Sequence, residues 1–150
     1  MERRVAALNL SHRVRFRGAV PRHAFFDALR EADVLVHASL RDSASFTCVE
    51  VMTAGLIVVC LDHGGPGVQV PDGGGMKIAI NEPARVARGI AEAIRGLCAD
   101  PIARRNMAAA ARSHAVAELS WSARHRRFMA TLKQAGLYDD SGDSRLSSPA

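Results

Sequence analysis

A chain of 150 residues, 48% hydrophobic and 23% charged, has the length and apolar content to bury one sizeable core, so a single globular domain is expected. Net charge is +5 and the base is almost all arginine, with Lys77 and Lys133 the two lysines; anionic partners are favoured, but scattered arginines and 5% aromatic residues argue against nucleic acid. No apolar run approaches the ~20 residues of a membrane span and no apolar core follows Met1-Glu2-Arg3-Arg4, so a soluble chain is expected, with peripheral membrane contact left open.

In chain order, Val14 and Phe16 alternate with arginines ahead of Gly18 and read as a short strand. Pro21 then opens a helix on which Phe25, Phe26, Leu29 and Ala32 recur at helical spacing. Val34 to Ala38 reads as a second strand, Arg41 to Ser45 as a polar loop, and Phe46 to Ala54 as a helix closed by Gly55. The run Ile57 to Leu61 is apolar on both faces, as a central parallel strand should be, and Asp62 to Gly67 is expected to form the loop at its carboxyl end. Pro71 to Gly75 is a turn, and Met76 to Ile80 a weaker strand. Asn81 is expected to cap a helix with Pro83 in its first turn and Val86, Ile90, Ala93, Ile94 and Leu97 on one face. Asp100-Pro101 restarts a helical stretch from Ile102 to Leu119, and Ser120 caps a last helix with Trp121, His125, Phe128 and Leu132 on its buried side. The tail 139–150 is expected to be disordered. Cys48, Cys60 and Cys98 are odd in number and set apart in apolar segments, the pattern of buried free thiols in a reducing compartment, which favours the cytoplasm.

Glu50 lies eight residues after Asp42, with Ser43-Ala44-Ser45 between them and Gly64-Gly65 beyond the next strand. A polar loop entering a helix presents unpaired backbone N–H groups that bind phosphate, and a carboxylate can accept two sugar hydroxyls, so a phosphorylated sugar compound is the expected guest. Duller readings stand beside this one. Asp42 could cap the following helix, Glu50 could be a solvated helix residue, and His63 is either a ligand contact or a surface residue. His37 reads as packed at its strand end, the Trp121 and Phe128 stripe as core, and Arg124, Arg126 and Arg127 as a solvated face rather than a lipid contact.

The segment order resembles the C-terminal donor-binding domain of the retaining GT-B glycosyltransferases, glycosyltransferase family 4 or group 1. The resemblance runs from Val14-Arg15-Phe16-Arg17-Gly18 through Ala32-Asp33-Val34, Ser39-Leu40, the acidic pair, Ala54 to Val59 and Asp62-His63-Gly64-Gly65 to Asp100-Pro101 and Ser120-Trp121. It implies an α/β fold, a Rossmann-like parallel sheet flanked by helices, over 1–138, and an enzyme transferring a hexosyl or other glycosyl group from a nucleotide-diphosphate sugar with retention, with no cofactor and no metal. Asp42 and Glu50 are by this resemblance the catalytic pair, Asp42 near the donor sugar and Glu50 on the nucleotide ribose. The implied donor-binding residues are Ser43, Ala44, Ser45 and Phe46 through the loop, Gly18 and Val20 beside the base, and Gly64 and Gly65. Catalysis would be mainly electrostatic stabilisation of the departing diphosphate. The acceptor is unknown, a saccharide or a lipid-linked compound.

The chain departs from the family pattern in having Asp42 and Ser43-Ala44-Ser45 where Glu and Gly-Phe-Gly are usual, and Val68-Gln69 where a glutamate commonly follows the glycine pair. A first strand with a diphosphate-holding arginine and lysine, and an acceptor domain before it, would precede Val14 in the family; the expectation is therefore an N-terminally incomplete donor domain. The alternative is a non-catalytic donor-binding remnant or subunit completed by a partner chain that carries the acceptor domain.

Overall fold

The computed structural model describes residues 1–138 and resolves them into two compact units, Met1–Ala32 and a second beginning at Asp33. The expectation for 139–150 lies outside the described residues. In the first unit, helix α1 spans Glu2–Ala7 and α2 spans Arg22–Arg30, entered through Pro21 with φ −66°. No strand forms at Val14 to Phe16, contrary to expectation. The N–H groups of Arg13 and Val14 turn back to the Leu10 carbonyl, and no described segment offers the run a ladder to join. Alternation marks a chain suited to a sheet; the sheet bonds have to come from a neighbour.

The second unit is built on three parallel strands in the order β1 (Val34–His37), β2 (Ile57–Leu61), β3 (Gly75–Ile78). In register, Val34 faces Ile57 and His37 faces Cys60, while Val58 faces Gly75 and Leu61 faces Ile78. All five β2 residues are buried, which is why both faces of that strand are apolar. Between β1 and β2 runs α3 (Phe46–Thr53), whose Cys48, Val51 and Met52 are fully buried; Gly55, at φ +81°, closes it as expected.

After β3 come α5 (Pro83–Ala99), α6 (Pro101–His114) with a π-helical turn at Ala115–Leu119, and α7 (Trp121–Gln134). Ile57 and Val59 pack against Ala93 and Leu97 of α5, with Met107 and Ala108 of α6 beside them. Three helix starts are held by side-chain caps. Ser45 Oγ accepts from the Cys48 N–H at 3.3 Å, Asp100 Oδ1 from Ile102 and Ala103 at 3.0 and 2.9 Å, and Ser120 Oγ from Ala123 at 3.3 Å. Asn81 stands one residue outside its expected place: Glu82 is the cap of α5, and Asn81 Oδ1 accepts the Glu82 N–H.

Three further expectations are corrected. The loop expected at Asp62 to Gly67 closes into a short helix, α4 (Gly64–Gln69), immediately after His63. Trp121 and Phe128 are not core but 77% and 60% exposed, and His125 is exposed with them, because α7 turns Ala123 inward instead. An aromatic stripe names a face that favours cover, and the ring of Phe46 on α3, stacked on Trp121, leaves both Trp121 and Phe128 more than half exposed. Cys98 is exposed, while Cys48 and Cys60 are buried and free as expected.

Burial pushes the Cys60 thiol up to about 11 and raises that of Cys48. The unfolded chain gives up these protons near the ordinary thiol value of about 8.5, whereas the folded chain keeps that of Cys60 to about 11. Their stabilising effect is therefore full below that lower value and is lost as pH rises through the window. Urea midpoints are expected to fall across it, and less so in Cys60→Val. A thiol reagent is expected to label Cys98 in the native chain and Cys48 and Cys60 on unfolding.

Candidate functional site

The carboxyl end of β1 hands the chain to a loop that doubles back over the start of α4. Two features of the sequence make that possible. Asp42 is short enough to bond within its own loop, and Gly64-Gly65 allows backbone to lie on backbone. The Asp42 carbonyl accepts the Gly65 N–H at 2.8 Å. A Cβ at Gly64 would stand 2.5 Å from the Asp42 carbonyl oxygen, and one at Gly65 would stand 2.4 Å from that of Ser43. Gly64 itself is at φ +58°. The glycine pair is thus the seat of the loop.

Asp42 does not cap α3; Ser45 does, and is itself only 3% exposed. The Asp42 side chain instead accepts the Ala44 N–H on Oδ1 at 3.2 Å and lies 2.9 Å from His37 Nε2 through Oδ2. Ser43 and Ala44 are exposed on the loop crest, and Phe46 opens α3 at 59% exposed. The first-turn N–H groups of Phe46 and Thr47 have no intrahelical acceptor, which leaves the loop-to-helix junction able to bind an anion. Asp42, Ser43, Ala44, Ser45, Phe46, Gly64 and Gly65 therefore form one continuous structure at the strand ends. Glu50 is half-buried on the second turn of α3, flanked in sequence by buried Val51. Gly18, at φ +63°, and Val20, 42% exposed, belong to the first unit. Among the described residues no three His, Cys, Asp or Glu side chains group as metal ligands.

For two residues of this region the sequence did not show the interactions that the structure has. His37, read as a packed strand end, bonds to Asp42; the signal was a polar side chain closing an apolar strand five residues before an acid. Gln69, at the end of α4, buries its Oε1 with no hydrogen-bond partner among the described residues. Close to the loop, Phe46 stacks on Trp121 with ring centroids 6.2 Å apart and planes at 29°.

The family model described as "Glycosyl transferases group 1" matches residues 1–114. The chain belongs to this family. It is 33% identical over 116 residues to a D-inositol 3-phosphate glycosyltransferase of Streptomyces avermitilis, a match covering 77% of this chain and 24% of the relative. The chain thus spans about a quarter of that protein's length. Among solved structures it resembles the sucrose-phosphate synthase of Thermosynechococcus elongatus, with a TM-score of 0.74 and 25% identity over 90% of this chain and 33% of the other. The C-terminal domain of a group 1 glycosyltransferase from Francisella tularensis superposes with a TM-score of 0.68 at 20% identity, over 80% of this chain and 60% of that domain. At that identity the match speaks for the fold alone. The α/β, Rossmann-like sheet expected from the sequence is the fold that these structures share with this group 1 chain.

Among the described residues no helix is long and apolar enough to cross a membrane.

Proposed function

We propose that this group 1 chain binds a nucleotide-diphosphate sugar at the loop from Asp42 to Phe46 and forms the donor side of a transferase acting with retention. The observation that carries the reading is the loop itself, seated backbone to backbone on Gly64-Gly65 at the carboxyl ends of a parallel sheet, where ligands of such sheets bind. In this reading the diphosphate meets the N–H groups at the start of α3, Asp42 accepts hydroxyls of the donor sugar, and Glu50 accepts the ribose hydroxyls. As the sugar–phosphate bond breaks, negative charge gathers on the leaving diphosphate, and fixed N–H dipoles stabilise it there without reorganising.

The acceptor is a saccharide or a lipid-linked compound; relatives named for D-inositol 3-phosphate and sucrose phosphate favour a polyhydroxylated one. Because the match covers 24% and 33% of those two relatives, a second reading holds that the acceptor side is supplied elsewhere, for instance by a partner chain.

Calorimetric titration with UDP-, GDP- and ADP-sugars, the matching nucleoside monophosphates and plain sugar phosphates tests the donor assignment. At least one sugar nucleotide is expected to bind in the range of about 1 μM to 1 mM typical of enzyme substrates, with the monophosphate of the same base weaker by tenfold or more. Equal affinity across the panel, or none, would overturn the reading.

A further inference from the structure

His37 ends β1, opposite Cys60 of β2, and its Nε2 lies 2.9 Å from Asp42 Oδ2; the two side chains are 20% and 23% exposed. An ionised carboxylate only accepts, so the ring carries its proton on Nε2 and donates it. The other oxygen, Oδ1, takes the Ala44 N–H at 3.2 Å, and the main-chain carbonyl of the same residue takes the Gly65 N–H at 2.8 Å. Asp42 is thereby held from three sides: by a strand end, by its own loop and by the start of α4. A carboxylate offers about four lone-pair sites, and two are used within the protein, so about two remain for a ligand.

The roles of the three holds differ. The two backbone bonds place the loop, but the loop bond to Oδ1 alone leaves the carboxylate able to swing about its own side-chain torsions. A second bond to Oδ2, from a ring at the end of β1, whose backbone is laddered to the buried strand β2, stops that swing. Sites that read hydroxyl geometry require side chains held to within roughly 0.5 Å, and such holding comes from the residues behind them.

We propose that His37 is a positioning residue for the donor site: it fixes the Asp42 carboxylate in the orientation that receives the hydroxyls of the donor sugar. The inference rests on the donor-site reading above. It concerns the sugar end of the ligand and leaves the nucleotide end untouched.

The test compares His37→Leu, which removes the donor, with His37→Gln, whose amide N–H reaches about as far as Nε2. Each is titrated with the sugar nucleotide that the wild type binds and with the nucleoside diphosphate lacking the sugar. His37→Leu is expected to weaken the sugar nucleotide about tenfold, to leave the bare diphosphate unchanged and, in His37→Gln, to be largely rescued. If His37→Leu does not fold, His37→Asn, whose amide falls short of Asp42, replaces it with the same expected pattern. Equal weakening of both ligands, no weakening of either, or absence of rescue by glutamine would overturn the positioning role. Failure of the wild type to bind any sugar nucleotide, or equal affinity across the donor panel, would remove the donor reading and this inference together, whereas selective wild-type binding that the His37 variants leave unchanged removes this inference alone.

Discussion

Gly65→Ala is expected to lower the unfolding free energy by about 3 kcal/mol, roughly 10 °C in melting temperature, and to abolish sugar-nucleotide binding in whatever fraction stays folded. The added methyl would sit 2.4 Å from the Ser43 carbonyl oxygen, 2.6 Å from its carbon and 2.7 Å from the Ala44 Cα. All three are backbone atoms, so no side chain can rotate away. Relief requires lifting the loop from α4, which breaks the 2.8 Å bond from the Gly65 N–H to the Asp42 carbonyl. Asp42, Ser43 and Ala44 move with it. Calorimetric melting and the ligand titration together check the claim. A melting point within about 2 °C of wild type would show that the loop yields at little cost and is not closely packed on α4. Gly18→Ala is a useful contrast, since its added methyl meets nothing within 4 Å and only its φ of +63° opposes it.

Glu50→Ala is expected to weaken binding of the nucleotide diphosphate by about 100-fold or more while leaving the fold intact. Hydrogen bonds to a charged acceptor contribute about 1.5–3 kcal/mol each, and a carboxylate gripping both ribose hydroxyls makes two. Glu50 is half-buried on α3 beside fully buried Val51 and Met52, so the helix keeps its apolar anchors when the carboxylate goes. Glu50→Gln, which keeps length and one carbonyl acceptor, should lose less, about tenfold. The proposed ribose contact carries a further asymmetry: a 2′,3′-dideoxy nucleotide should bind wild type and Glu50→Ala alike. Affinity indifferent to Glu50→Ala would remove this residue from the site and leave the nucleotide without its proposed anchor.

How far the fold could be read from residues depended on what each residue needed. Ile57 to Leu61 announced a central parallel strand because only burial on both faces suits five consecutive apolar residues, and each of the five is buried. Ser120 and Gly55 were legible for a similar reason, since capping oxygens and left-handed closures belong to few residue types. Local chemistry was insufficient where a neighbour decided the outcome. Val14 and Phe16 carry the alternation of a strand and lack a ladder. Gly64-Gly65-Pro66-Gly67 looks like a loop by helix propensity, yet it opens α4 because the glycines are selected by the loop lying on them. The loop from Asp42 to Phe46 was visible as a segment. The bond from His37 was not, because it depends on how tightly the chain reverses after β1.

The stacked rings of Phe46 and Trp121 have a practical consequence. The chain has one tryptophan, and it rests on the first residue of the helix that follows Ser45. Its emission is therefore an intrinsic optical gauge of events at the loop-to-helix junction. A guest that settles there changes the indole's surroundings and reports its own arrival, without dye or label.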